Sequence, residues 1–325
     1  MQISGGVVLS GGVNLAPGSG GSGGSGGFQG SNYGFSSGGS PDGGSTYINV
    51  IEKYSFTSDG NATDVADLVS GRAITSSEGQ SSSSSGYLAG GRQAGGTSTS
   101  NIQKFSFTAG TNASDVGNLL TNLYNFTGAS SSENGYVSGG YSPANTYINT
   151  IQKFPFGSDG NSSDVADLTR TLDAAAGQSS TEYGYASGNN PSPANKIEKF
   201  SFTTDSNSTD VGDLAQPVRK ATGQSSSSHG YASGGVGTPS FPLKNFIQKF
   251  PFSSDSNATD VADLTQPTGD ASGTSSTSSG YSAAGTDDNL NYYNTIEKFP
   301  FASDGNAVDI GDLNNSTYSA SGTQY

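Results

Sequence analysis

The chain has 325 residues, no cysteine, one histidine and a formal net charge of −14, with 13 Lys and Arg against 27 Asp and Glu. So few basic residues argue against binding to the phosphate backbone of a nucleic acid. The lack of cysteine excludes disulfides and thiolate metal sites. Hydrophobic residues make up only 30% of the chain, so a folded core requires apolar positions that recur regularly.

The N-terminal segment is the first distinct part of the chain. Residues 1–9 have no basic start and only a brief apolar run, which predicts neither a signal peptide nor insertion into a membrane. Residues 18–27 are almost entirely Gly and Ser, the composition of a flexible tether. We therefore predict a docking arm over 1–27, in which 1–17 adds a strand to a sheet of another chain. The alternative is that 20–27 is an engineered linker, which would remove the argument for a tether.

The rest of the chain, 28–325, is dominated by one motif, Ile-Glu/Gln-Lys-Phe/Tyr. It occurs six times, beginning at Ile51, Ile102, Ile151, Ile197, Ile247 and Ile296. A period of this size indicates one supersecondary unit that is copied and packs against its own copies. Each copy contains short runs of β-branched and aromatic residues separated by Gly, Asn, Asp and Ser. This pattern predicts four antiparallel strands in each unit and almost no helix.

A short polar tract follows the motif in each copy. It reads Asp-Gly-Asn or Asp-Ser-Asn at 59–61, 159–161, 205–207, 255–257 and 304–306, and Gly110-Thr111-Asn112 replaces it in the second copy. Because Asp, Gly and Asn tolerate positive φ, we interpret the tract as a hairpin turn. The alternative is a calcium site built from oxygen ligands such as Asp59, Asn61 and Asp64.

The two ends of the repeat region complement each other. After the sixth copy, Tyr318–Tyr325 supplies one Ser-rich strand and then stops, while Asn32–Gly39 supplies a Gly-aromatic strand with no full copy before it. A closed ring of sheets removes the exposed edges that a linear stack would leave. We therefore predict an all-β fold, a six-bladed β-propeller of four-stranded antiparallel blades closed by pairing of the N- and C-terminal strands.

Three segments of the third copy carry a family resemblance. Ser138-Gly139-Gly140, Ile151-Gln152-Lys153-Phe154 and the stretch Asp164–Leu168 follow the order seen in kelch repeats, and the unit resembles the kelch and galactose-oxidase type of blade. The chain departs from that pattern because it has no Trp. The copper chemistry of galactose oxidase needs histidine ligands and a cysteine-modified tyrosine, so the resemblance implies the fold and no active site.

A second resemblance lies in the amino-acid sequence of the repeats. The Gly-Tyr, Lys-Phe-Pro-Phe and Asp-Gly-Asn-Ala-Thr-Asp-Val segments resemble repeats of structural proteins from marine bacteriophages. This resemblance implies a virion protein, a tail fibre or a capsid-associated protein, whose N-terminal arm binds other virion proteins.

Charged residues at repeat positions are expected to be structural. We predict that the repeat lysines, such as Lys53, contact carboxylates on the neighbouring strand, namely Asp64, Asp67 and their copies. His229 replaces Ser or Asn of other copies, so we interpret it as a solvated side chain. The nonrepeating carboxylates form no recognisable catalytic motif, and the chain is not expected to be an enzyme or to carry a cofactor.

Variation between copies is concentrated in the loops that join the second and third strands of each unit. In a propeller these loops share one face with the connections between blades, so a rigid frame would present variable loops there. Aromatic residues in these loops are the candidate ligand-binding residues: Tyr47, Tyr141, Tyr147, Phe241, Phe246, Tyr292 and Tyr293. Such side chains suit sugar rings, and the alternative is that they pack the bases of the loops.

These observations predict a noncatalytic protein on the surface of a phage particle that binds a host receptor or a glycan. Two alternatives stay open. One is a capsid or tail decoration protein without a ligand, whose acidic surface keeps particles apart. The other is a secreted calcium-dependent adhesin or lectin.

Overall fold

The computed structural model describes residues 29–72, 79–144, 146–189, 194–238, 240 and 242–325. Six antiparallel sheets of four strands form the blades of a β-propeller. One 3-10 turn, Ala94–Gly96, is the helical element of the described residues, and none of their helices has the length and apolarity needed to cross a bilayer. The predicted fold class is therefore confirmed for the blades. The predicted arm over 1–27 lies outside the described residues.

The strands are assigned to blades in chain order. Blade 1 contains β1 (Tyr33–Ser37), β2 (Val50–Ser55) and β3 (Thr63–Asp67). Blade 2 contains β4 (Gln80–Ser81), β5 (Ser85–Ala89), β6 (Asn101–Ser106) and β7 (Ser114–Asn118). Blade 3 contains β8 (Thr127–Ser130), β9 (Asn134–Ser138), β12 (Thr150–Pro155) and β13 (Ser163–Asp167), with a hairpin of β10 (Tyr141–Ser142) and β11 (Thr146–Tyr147) between its middle strands.

The second half of the chain repeats the pattern. Blade 4 contains β14 (Ala176–Ser179), β15 (Tyr183–Ser187), β16 (Ala194–Ser201) and β17 (Thr209–Arg219). Blade 5 contains β18 (Thr222–Ser225), β19 (His229–Ser233), β21 (Phe246–Pro251) and β22 (Thr259–Asp263), and its loop strand β20 (Val236–Gly237) pairs with the end of β17. Blade 6 contains β23 (Ser272–Ser275), β24 (Ser279–Ala283), β25 (Thr295–Pro300) and β26 (Val308–Asp312), and β27 (Ser321–Gln324) ends the chain.

The ring closes through the last strand. β27 pairs antiparallel with β1, with Ser321 opposite Ser37 and Gln324 opposite Gly34. It thereby becomes the inner strand of blade 1, whose other three strands come from the N-terminal end of the repeat region. The predicted pairing of terminal strands is confirmed.

Aromatic side chains hold each blade to the next. The aromatic residue of each second strand contacts two rings in the following blade, the last residue of the repeat motif and the aromatic residue two positions after it. Tyr185, for example, contacts Phe250 and Phe252 with ring centroids 5.5 and 4.8 Å apart. Tyr185 is 2% exposed, so burial of its ring against the neighbouring blade excludes water. The same contact occurs at the other five junctions, from Phe35, Tyr87, Tyr136, Tyr231 and Tyr281.

The second residue of the motif also reaches across a junction. Its side-chain oxygen accepts a hydrogen bond from a backbone N–H near the end of the outer strand of the preceding blade, as Gln152 does from Leu120 at 2.8 Å. Gln103, Glu198, Gln248, Glu297 and Glu52 make the equivalent bond at the other junctions. Both Glu and Gln occur at this position because each carries the oxygen that the bond requires.

The repeat lysines do not contact Asp64, Asp67 and their copies, so that part of the prediction is wrong. Register explains the difference, because Lys53 lies opposite Thr63, and Asp64 lies opposite Glu52. Five lysines instead contact the turn aspartate of the following blade at 2.5 to 2.9 Å, in the pairs Lys104–Asp159, Lys153–Asp205, Lys199–Asp255, Lys249–Asp304 and Lys298–Asp59.

The junction between blades 1 and 2 differs because Gly110 occupies the position of the turn aspartate. Lys53 lies over the ring of Tyr33 instead, with its Nζ 4.6 Å from the centroid. The ring of lysine–aspartate pairs is therefore open at one junction of six.

The turns themselves are hairpin turns between the third and outer strands, as predicted. Asp159 has φ of 48°, in the left-handed region that Asp tolerates. The turn asparagine has a second function, since the Oδ1 atom of Asn161 accepts the backbone N–H of Asn118 in the preceding blade at 3.0 Å. Equivalent bonds join all six blades, through Asn112, Asn207, Asn257, Asn306 and Asn61. We call the side of the ring that carries these turns the turn face.

Candidate functional site

The opposite side of the ring, which we call the mouth face, surrounds the entrance to the central channel. The residue two positions before each inner strand has a positive φ in five blades, at Asn125, Ala174, Lys220, Asp270 and Ser319. Each of the last four donates its backbone N–H to the carbonyl of the one before it, at 2.7 to 3.1 Å. These five residues, the mouth ring, share one backbone conformation but carry five different side chains.

Two neighbours in the mouth ring form an ion pair. The Nζ atom of Lys220 lies 2.6 Å from Oδ2 of Asp270. The Asp270 side chain is 3% exposed and that of Lys220 is 29% exposed, so the carboxylate is covered while the ammonium borders the channel mouth. Among the described residues, the other carboxylate oxygen, Oδ1 of Asp270, has no hydrogen-bond partner. The lysine therefore supplies the charge compensation that a buried carboxylate requires.

A cluster of tyrosines lies on blade 3 at the rim of the mouth. Tyr141 packs against Tyr124 and Tyr147, with ring centroids 5.3 and 4.9 Å apart. The guanidinium carbon of Arg92, from the blade 2 loop, lies 5.1 Å from the centroid of the Tyr124 ring. Burial raises the pKa of the Tyr124 phenol, so this hydroxyl remains a hydrogen-bond donor at neutral pH.

A second pair of tyrosines lies across the mouth on blades 6 and 1. Tyr292 and Tyr318 stack with centroids 5.2 Å apart and ring planes 20° apart. The hydroxyls of Tyr318 and Tyr47 both approach Gly44, since a Cβ atom at that position would lie 3.2 and 3.3 Å from them. Burial, and to a lesser extent the charge of Asp270, raises the pKa of Tyr318 to about 12.

Two cavities connect these groups. One of about 350 Å³ lies between blades 5, 6 and 1, and one of about 160 Å³ lies over the channel entrance. Lys220 and Tyr318 line both, so the two cavities form one groove across the mouth face. The larger cavity is within the size range of ligand pockets, roughly 300–1,000 Å³.

The predicted aromatic residues have different environments. Tyr47 and Tyr292 line the groove, and Tyr141 and Tyr147 form the tyrosine cluster beside Tyr124. Tyr293 and Phe246 are absent from the lining of both cavities. Tyr293 donates its hydroxyl to Oδ2 of Asp287 at 3.1 Å, Phe246 is 8% exposed within the core of blades 4 and 5, and Phe241 lies outside the described residues.

Sequence reasoning missed Arg92, Tyr124, Lys220, Asp270 and Tyr318. All but Arg92 belong to the connections between blades, which share one face of the ring with the variable loops. The available signal was positional. When the copies are aligned on the inner strand, the residue two positions before it differs among the five blades in which the structure describes it, whereas the strand itself is nearly constant.

The turn tract that suggested calcium is engaged by protein groups. Asp59 pairs with Lys298 at 2.9 Å, and Oδ1 of Asn61 accepts the Asp312 N–H at 3.1 Å. A cation at this turn would have to compete with both contacts. Over the described part of the chain, no cluster of three or more His, Asp or Glu side chains has the arrangement of a metal site.

His229 lies at the start of β19 on the turn face, where its Nδ1 atom is 2.8 Å from the hydroxyl of Ser228. Burial, followed by the charge of Lys249, lowers the pKa of the imidazole. The residue is therefore predominantly neutral at pH 7 and lies on the side of the ring opposite the groove.

Comparison with known proteins adds no assignment: no protein-family model matches the chain, and no curated protein is significantly similar to it.

Proposed function

We propose that this protein is a noncatalytic display propeller, carried on a bacteriophage particle, that binds a host receptor or glycan through its mouth face. The observation that carries this proposal is the contrast within the mouth ring. Five blades place Asn125, Ala174, Lys220, Asp270 and Ser319 in one backbone conformation, with five different side chains. Of these side chains, those of Asn125 and Lys220 are partly exposed and those of Ala174, Asp270 and Ser319 are buried. A constant backbone frame that carries different residues in each copy is typical of a recognition surface.

The chemistry of the groove favours binding over catalysis. A glycosidase needs a carboxylic acid that is protonated near neutral pH. Asp270 is instead paired with Lys220, and Oδ1 of Asp288 accepts the Leu243 N–H at 2.9 Å. Hydrogen bonds from Asn291, Asn289 and Tyr293 lower the pKa of Asp287 to about 2. Each of these carboxylates is therefore engaged in an ion pair or in hydrogen bonds to protein groups.

The tyrosines supply the surface that a saccharide requires. Tyr292 and Tyr318 stack at the edge of the groove, and Tyr47 and Tyr124 line its smaller cavity. A tyrosine offers an apolar ring to the C–H face of a sugar and a hydroxyl to its polar edge. This combination of aromatic rings with a few polar groups is common in small-ligand sites.

We further propose that the N-terminal arm, 1–27, binds other virion proteins and that the turn face is directed toward the particle. Mass spectrometry of purified particles tests the location directly, since the chain should be recovered in stoichiometric amounts with the capsid or tail proteins. A particle that contains none of this chain would contradict the proposed location while leaving the proposed binding activity untouched.

The binding activity is tested by applying the labelled full-length chain to a glycan microarray. We expect a defined set of glycans to bind, and we expect the double variant Tyr292→Ala, Tyr318→Ala to lose binding by at least tenfold. Tyr183→Ala is the matched control, because Tyr183 lies under Lys199 on the turn face. An array and a host-cell assay that are both negative would favour the decoration protein, and binding that is abolished by a calcium chelator would favour the adhesin.

A further inference from the structure

We infer that the smaller cavity of the groove binds a carboxylate-bearing sugar residue, with Arg92 as the residue that contacts the carboxylate. This inference rests on the proposed function and narrows its ligand to an acidic saccharide.

Most cations near Arg92 or in its class are engaged by protein groups. Arg170 pairs with Glu198, Lys196 pairs with Asp210, and the buried Arg72 donates to backbone carbonyls. Arg92 is exposed and lies over the Tyr124 ring, and among the described residues no carboxylate lies within ion-pair distance of it. Its guanidinium therefore keeps its hydrogen-bond donors directed to solvent at the rim of a cavity.

The smaller cavity has the polarity of an anion site. Its lining includes Arg92 and Lys220 together with Tyr47, Tyr124, Tyr318 and Ser319, and none of the described residues that line it is a carboxylate. Lys220 is already neutralised by Asp270, which leaves Arg92 as the cation with free donors. A guanidinium presents two parallel N–H groups that match the two oxygens of a carboxylate. The adjacent tyrosine rings provide an apolar surface for the sugar to which that carboxylate is attached.

The larger cavity has the opposite character. Asp270, Asp287 and Asp288 border it, and Leu290 is 68% exposed at its edge. A second acidic sugar would be repelled there, whereas a neutral sugar would pack against Tyr292. The groove therefore fits an oligosaccharide that places an acidic residue beside Arg92 and a neutral residue between blades 6 and 1.

The test compares methyl β-D-glucuronide with methyl β-D-glucoside, which share one ring and differ only in the carboxylate at C6. Binding to the full-length chain is measured by saturation-transfer NMR and titration. We expect the glucuronide to bind at least about tenfold more tightly, as a charge-assisted pair would provide. Arg92→Gln should reduce its affinity to that of the glucoside, and Arg92→Lys should give an intermediate value.

Lys53→Gln is the matched control, because Lys53 also lies over a tyrosine ring but on the turn face. It should leave both affinities unchanged, and thermal unfolding should show that every variant is folded. If the two sugars bind equally and Arg92→Gln alters neither affinity, the inference is wrong while glycan binding itself still stands. If neither sugar binds and the microarray is also negative, the inference and the proposed function fail together.

Discussion

The turn face and the mouth face are built from the same six repeats, but their side-chain contacts differ in how regularly they are repeated. On the turn face, each Asn of the tract bonds the preceding blade, and five of six lysines bond the following one. On the mouth face, the backbone of the mouth ring is just as regular, but its side chains are not repeated. The repeated interactions therefore join the blades, whereas the residues at the mouth vary from copy to copy, with the side chains of Asn125 and Lys220 partly exposed.

This comparison predicts that substitutions at repeated contacts change stability and leave binding intact, and that substitutions in the groove do the reverse. Three predictions test the stability half of that statement, from the largest expected effect to the smallest.

The largest effect is expected from Phe299→Ala. Phe299 is 1% exposed, and its ring contacts that of Tyr231 in the preceding blade with centroids 5.6 Å apart. Removing the ring leaves a cavity at a blade junction and should lower the free energy of unfolding by about 3–5 kcal/mol. Denaturant unfolding measures this loss, with Val69→Ala, at a side chain that is 54% exposed, as the control. A loss below about 1 kcal/mol would contradict the importance given to the aromatic junctions.

The second largest effect is expected from Glu297→Gln, which should increase the free energy of unfolding. Burial raises the pKa of this carboxyl, and Gln248 already makes the equivalent interblade bond in blade 5. Because the pKa of Glu297 is higher in the folded state than in the unfolded state, the ionised carboxylate destabilises the fold at pH above the folded-state pKa. This destabilisation disappears as the pH falls below the pKa of the unfolded state. The variant should therefore be more stable by on the order of 1 kcal/mol at pH 7 and equal to the parent at pH 3. Unfolding curves of the parent and the variant at the two pH values measure this difference. A variant that is less stable than the parent at pH 7 would show that the ionised carboxylate does not destabilise the fold.

The smallest effect is expected from Gly110→Asp, which completes the ring of lysine–aspartate pairs. Gly110 has φ of 59°, close to the 48° of Asp159 in the next blade, so an aspartate fits the turn. A new contact with Lys53 should add about 0.2–1 kcal/mol, a gain that 1 M salt should remove. Thermal unfolding at low and high salt provides the measurement. A gain that persists in high salt would mean that the turn, and not the charge pair, is responsible.

The fold was predictable because its signals are local and repeated. Six copies of the motif gave the number of blades, and the unpaired strand segments at Asn32–Gly39 and Tyr318–Tyr325 predicted closure through β27. The lysine partners were not predictable in the same way. Asp59 and Asp64 both follow the motif within one copy, and only the register of strands and the spacing of blades determine which carboxylate a lysine reaches.

The candidate site was predicted in part. The second-to-third strand loops contain Tyr47 and Tyr292, whereas Lys220, Asp270 and Tyr318 lie in the connections between blades, where no aromatic-rich variable loop marks the site in the sequence. Phe246 has the residue type expected of a sugar-binding side chain, but it begins a strand and its side chain packs into the core. Residue type alone does not separate an aromatic that faces a ligand from one that fills the base of a loop.

The separation of frame and binding surface is tested most directly by a crystal structure of the full-length chain with the saccharide that binds best on the microarray. The account predicts ligand density in the groove between Tyr124 and Tyr292, with the turn face unoccupied and the blades unmoved. Density at the Asp-Gly-Asn turns or along the outer strands, with an empty groove, would contradict it.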